Sequence, residues 1–186
     1  SELERLVEEL RRALEKHKRR LEELKKELKK ALDDHRREVK RLIDELKKTL
    51  DDVRKASRID DEEALKKIEE DLKKLLRDIK ERLKESTRRM EELLRRVKKD
   101  IRESHERLRE LLKKIEKELK DLKKDQDERL LEDVKRILDE VRREVEKLDT
   151  DADRRLREVK EEVERINREV EKTLRDVEED LDRLKK

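Results

Sequence analysis

Apolar residues recur every three or four positions along this chain, and the pattern repeats with a period of 18. The opening stripe runs Leu3, Leu6, Leu10, Leu14, His17, Leu21, Leu24, Leu28, Leu32, His35, Val39, Leu42, Leu46, Leu50 and Val53. Leu10, Ala13 and Leu14 fall on Leu28, Ala31 and Leu32, and again on Leu46, Thr49 and Leu50. Such spacing marks an amphipathic helix. Eighteen residues make five turns of about 3.6 residues, so the stripe climbs a straight helix without drifting around it. A heptad repeat imposes a left-handed supercoil and an 11-residue repeat a right-handed one. The period found here imposes neither and predicts nearly untwisted helices.

The same period governs the middle of the chain, where Leu65, Leu72, Leu75, Ile79 and Leu83 reappear as Leu83, Met90, Leu93, Val97 and Ile101. It governs the last third, where Leu130, Val134, Leu138, Val141, Val145 and Leu148 reappear as Leu148, Ala152, Leu156, Val159, Val163 and Ile166. Between these stretches the phase slips, by about 60° at the first junction and about 100° at the second. Either rotation would turn the apolar face off its partners in a continuous helix, so each slip marks a chain break. The first break falls at Ser57–Asp60. There Asp60 and Glu63 form a D-x-x-E capping box, and Ile59 stands where it could staple weakly onto Ala64. The second falls near Lys124–Asp127, with Asp125 and Glu128 in the same relation, and Ser1 with Glu4 caps the start. The clusters Glu85-Ser86-Thr87 and Asp149-Thr150-Asp151 resemble turns, yet the repeat passes through both in phase, so both are read as helix interior.

The expected fold is all-α: an antiparallel three-helix bundle of long, nearly straight helices at about 2–57, 61–124 and 127–186, in one elongated domain over 1–186. A four-helix bundle, broken at the two polar clusters, is the second choice. Each helix would be roughly 85–95 Å long at about 1.5 Å per residue. Pairs such as Glu22–Lys26, Glu69–Lys73, Glu70–Lys74, Glu91–Arg95 and Glu92–Arg96, four residues apart, would decorate the outer faces and support helicity.

Composition removes most chemistries. The 186 residues include 60 Lys or Arg and 57 Asp or Glu, a net charge of only +3, and no Gly, Pro, Cys, Phe, Tyr or Trp. Without cysteine there is no disulfide, thiolate metal site or thiol nucleophile. Without glycine the usual phosphate-cradling loops are absent, and without aromatics there is no platform for stacking bases. The charges nearly cancel, so no nucleic-acid partner is expected. The basic stretch Lys16–Arg20 is followed by Glu22 and Glu23 and reads as a solvated helix face. No apolar run reaches the roughly 18 residues of a membrane span, and no signal-like start is present. A membrane partner and a targeting signal are therefore not expected, and the chain would be cytoplasmic if expressed in a host.

A few polar residues interrupt the apolar stripes, and they too are spaced by 18: His17 and His35, Ser86 and Ser104, Thr87 and His105, Asp149 and Asn167. Folding the chain at turns centred near 59 and 125.5 sets residue r of the first helix opposite roughly 118 − r, and brings Ser104 and Ser86 near roughly 147 and 165. Two cross-sections result. One holds His17, Ser104, His105 and Asp149, and the other His35, Ser86, Thr87 and Asn167. Each mixes donors and acceptors from three helices, as a buried structural polar layer must if no group is left unpaired. Thr49 and Thr173 lack such partners, and a threonine hydroxyl can bond back to its own helix. A metal site of His17, His105 and Asp149 lacks the Glu-x-x-His and His-Glu-x-x-His spacings. Ser104, His105 and Asp149 have the composition of a hydrolytic triad, but adjacent helical residues point about 100° apart and no oxyanion element accompanies them. No catalytic, cofactor-binding or metal-ligating residue is therefore assigned.

Capping boxes, the 18-residue repeat, Glu/Lys/Arg outer faces and paired polar layers together resemble a de novo designed helical bundle, more narrowly the parametrically designed, untwisted three-helix bundles with buried hydrogen-bond layers. Natural spectrin-like three-helix repeats are a looser comparison, since this chain lacks their aromatic core. The resemblance implies a hyperstable structural scaffold with no natural biochemical function, no enzyme activity and no required cofactor or partner. The alternative is a self-associating or pH-responsive assembly module, which would form a homo-oligomer.

Overall fold

The computed structural model describes residues 1–122 and 128–184. It contains three helices: α1 (Glu2–Ala56), α2 (Glu62–Asp121) and α3 (Glu128–Leu184). Both polar clusters that resemble turns, at 85–87 and 149–151, lie inside α2 and α3, because the apolar phase on either side is continuous. The four-helix alternative therefore falls, and the architecture is a three-helix bundle. The junction near Lys124–Asp127, with its capping box at Asp125, lies outside the described residues.

The helix ends follow from local chemistry. Ser1 Oγ accepts a hydrogen bond from the Glu4 amide at 3.3 Å, and the Glu4 carboxylate reaches back to the Ser1 nitrogen at 3.8 Å. Acidic residues occupy the first turn of each helix and basic residues the last, matching the helix dipole. With no glycine and no positive φ among the described residues, α1 cannot close on a left-handed cap. It tightens instead. The Arg58 and Ile59 amides donate to Lys55 and Ala56 carbonyls, three residues back, and the Ser57 hydroxyl donates to the Arg54 carbonyl.

This closure corrects the expected cap of α2. Two tight turns carry the chain to Ile59, and α2 begins only at Glu62, so the capping position is Asp61, not Asp60. Asp61 Oδ1 accepts from the Glu63 and Ala64 amides at 3.1 and 3.5 Å. With the frame moved by one, Glu63 no longer sits three residues after the cap, and no reciprocal box forms. Ile59 remains 38% exposed and does not close a staple.

The chain packs as two compact units, each drawing one segment from every helix. The first comprises 1–28 and 94–158, with a core around Leu10, Leu14, Leu108, Ile115, Leu138 and Val141. The second comprises 29–93 and 159–186, with a core around Leu42, Leu46, Leu76, Ile79, Val170 and Val177. In both, most interior side chains belong to the 18-residue stripe, but Val7 and Leu76 are buried beside it, while Leu32, Leu75, Leu93, Leu148 and Leu156 of the stripe are only half-buried. Burial of a large aliphatic side chain stabilises by roughly 1.5–3 kcal/mol, far more than an exposed ion pair contributes.

Candidate functional site

Each unit contains one cluster of polar side chains set among the aliphatic ones. In the first, the His17 ring is 1% exposed. Its Nδ1 is 2.5 Å from Ser104 Oγ on α2, and its Nε2 is 2.9 Å from Asp149 Oδ1 on α3. With Asp149 ionised, Nε2–H donates to the carboxylate and the serine hydroxyl donates to Nδ1. The other carboxylate oxygen, Oδ2, lies 2.5 Å from His105 Nδ1. That approach is off the line of a hydrogen bond. Among the described residues, His105 Nδ1 is the buried side-chain polar atom without a hydrogen-bond partner.

In the second unit the His35 ring is 2% exposed. Its Nδ1 is 2.7 Å from Ser86 Oγ, and its Nε2 is 2.9 Å from Asn167 Oδ1. The Asn167 amide donates onward to Thr87 Oγ1 at 2.9 Å. One consistent assignment satisfies the whole chain: Ser86 O–H to Nδ1, Nε2–H to the Asn167 carbonyl, Asn167 N–H to Thr87. Burial pushes the His35 imidazole below its ordinary value. The Asn167 hydrogen bond and the charge of Glu38 oppose this more weakly.

The eight polar residues singled out from the sequence thus meet in two sets of four. The contact register, however, differs from the simple fold-back. His17–Ser104 and His35–Ser86 both have residue numbers summing to 121, where the turn centre implies roughly 118. The reason is the tilt of the Cα–Cβ bond toward each helix N-terminus, which makes a side chain cover a spot about one residue N-terminal to its own Cα. In an antiparallel pair both tilts add, raising the sum by about two. In a parallel pair they cancel. The two turn centres set α1 and α3 residues roughly 133 apart, and His17–Asp149 and His35–Asn167 are each separated by 132.

The cross-helix ion pairs beside these clusters follow the same repeat, and the sequence reading missed them. Lys18 pairs with Glu144, and 18 residues on from both, Arg36 pairs with Glu162. Arg20–Asp100 in the first unit corresponds to Glu38–Arg82 in the second, with the charges exchanged. A search for opposite charges at a constant separation would have found the first set. Within helices, Glu22 pairs with Lys25 rather than Lys26, and Arg96 reaches across to Glu27 of α1.

The chemistry of the clusters is limited by their geometry. Ser104 gives its hydroxyl to His17, so the triad composition Ser104–His105–Asp149 does not assemble as one hydrogen-bonded chain. Ser104, His17 and Asp149 are connected in triad order, but the ring between them is buried. A groove of about 450 Å³ runs beside His35 and Ser86, bordered by Asp34, Arg37, Glu38, Arg41 and Arg89. No three His, Asp or Glu side chains among the described residues converge as a metal-binding group. No described helix is long and apolar enough to cross a membrane.

A solved structure described as a computationally designed three helix bundle has this fold. It matches with a TM-score of 0.65 and 23% identity, over 98% of this chain and 88% of that one. The likeness is one of fold. No protein-family model and no curated protein matches the chain.

Proposed function

We propose that this chain is a de novo designed structural scaffold: a hyperstable three-helix bundle with no natural biochemical function, whose two buried polar layers fix the register of its helices. The observation that carries this reading is the repetition of one wiring scheme. A histidine on α1 bonds a serine on α2 through Nδ1 and a carbonyl or carboxylate oxygen on α3 through Nε2, twice, at an offset of 18 residues. Sliding α1 along its partners by one turn would leave these buried groups unpaired, at a cost of about 1–3 kcal/mol each. Aliphatic layers alone impose no such cost. In this reading the protein is no enzyme, needs no cofactor or metal, and has no nucleic-acid or membrane partner.

Paired spin labels on α1 and α2 test the register role. The parent chain should give one narrow distance distribution. A variant with both layers replaced by aliphatic residues should be at least as stable to denaturant but give several distances. A single distance in that variant would remove the role assigned to the layers. The burial of His35 favours a second reading, a pH-responsive module that self-associates. Light scattering between pH 5 and 7.5 distinguishes the two, since the scaffold should keep a mass of 23.0 kDa.

A further inference from the structure

The two polar clusters share a frame and differ at two positions. Asp149, a carboxylate, stands where the second cluster has the neutral amide of Asn167, and His105 stands where the second has Thr87. The difference takes effect when the central ring gains a second proton. A charged ring at position 17 faces Asp149 Oδ1 at 2.9 Å, with His105 on the far side of the same carboxylate. A charged ring at position 35 faces Ser86 Oγ and Asn167 Oδ1, both uncharged. A buried ion with an opposite partner is tolerated, whereas one without is strongly disfavoured.

The charges around His35 do not replace the missing carboxylate. On α1, Glu38 is held by Arg82 of α2 at 3.3 Å and by Arg41 at 3.7 Å. Asp34 is paired with Arg37 at 3.3 Å. Arg89 of α2 borders the same groove and is paired with Glu85 at 3.7 Å. On α3, Glu162 is shared between Arg36 and Arg165. Each of these carboxylates therefore already has a cation; burial lowers the affinity of His35 for a proton, and Glu38 offsets this only in part.

We infer that the chain carries an asymmetric acid response: acidification loosens helix packing around His35 in the second unit while packing around His17 in the first holds, with Asn167 and Asp149 as the discriminating residues. The inference rests on reading the clusters as buried structural layers and adds a direction and a location to it.

Amide hydrogen exchange on the full chain at pH 7.5 and 5.0, corrected for the intrinsic pH dependence of exchange, tests this directly. Protection near 35, 86 and 167 should fall about tenfold at pH 5.0, the equivalent of one pKa unit of differential protonation. Protection near 17, 104 and 149 should stay within about threefold. Asn167→Asp should restore protection in the second unit at pH 5.0, and Asp149→Asn should transfer the acid loosening to the first. Equal responses in the two units, no response in either, or an Asn167→Asp variant as acid-sensitive as the parent would overturn the inference. Should Asn167→Asp fail to fold, the parent chain and Asp149→Asn decide it. Imidazole proton–nitrogen NMR at pH 7.5 separates this failure from failure of the underlying reading. Absence of a hydrogen-bonded His35 Nε2–H signal removes the layer itself, whereas its presence with a uniform acid response removes only the asymmetry.

Discussion

At the scale of single residues, what distinguishes this protein from a generic aliphatic bundle is a pair of buried histidines, His17 and His35, each hydrogen-bonded through both ring nitrogens. Ser86 donates to His35 Nδ1. Ser86→Ala should leave that nitrogen without a donor and destabilise by about 1–3 kcal/mol, read as a shift of the denaturation midpoint. A change below about 0.5 kcal/mol would show that water replaces the hydroxyl. By contrast, Thr49 and Thr173 bond to the carbonyls of Glu45 and Glu169 on their own helices and hold no partner in place. His35 also sets a pH dependence. An unfolded histidine titrates near about 6.5, and the folded one titrates lower. Between the two values the unfolded chain holds more protons, so stability rises with pH. The contribution is complete above about 6.5 and is lost as pH falls through that value toward the folded one. Guanidinium midpoints should accordingly drop between pH 7.5 and 5. A midpoint that is flat or rises on acidification would contradict the placement of that ring.

At the scale of elements, the helices are built from strong helix formers and joined without glycine, so their ends depend on side chains. Asp61 is the cap of α2, and Asp61→Ala should cost about 0.5–2 kcal/mol in thermal or chemical unfolding. Asp60→Ala, one residue earlier, should stay within about 0.5 kcal/mol. Equal effects would mean that the helix starts in the frame expected from sequence. Asp60 and Asp61 are indistinguishable to a pattern search, because either can head an acidic run. How the last turn of α1 closes is what selects between them. Interior packing is more uniform. Leu46 is fully buried in the second unit, and Leu46→Ala should cost about 2–5 kcal/mol through lost burial plus the cavity left behind.

At the scale of the whole molecule, the boundaries between the two compact units, at 28/29, 93/94 and 158/159, all fall inside helices. No linker separates the units in sequence, and a single domain over 1–186 is expected to melt as one. At pH 7.5 the calorimetric and van't Hoff enthalpies should agree, at about 0.7 kcal/mol per residue near 60 °C. Two resolved transitions would instead make each unit an independent folding domain.

The sequence by itself determined the helix count, the continuity of α2 and α3 through Glu85–Thr87 and Asp149–Asp151, the interior stripe and the two groups of polar residues. All of these follow from a period, and a period survives in one dimension. Tertiary structure decided the rest. It moved the cap from Asp60 to Asp61 because turn closure at Ser57–Ile59 uses up backbone. It shifted the antiparallel register because side chains tilt toward each helix N-terminus. It set His17 between Ser104 and Asp149 and placed His105 on the other oxygen of that carboxylate, because only the three-dimensional seam decides which groups of a layer meet. It also set neutral Ser86 and Asn167 at the ring nitrogens of His35, and Ser104 with the Asp149 carboxylate at those of His17. The residue types at 149 and 167 are written in the sequence, but the rings they face are set only by packing.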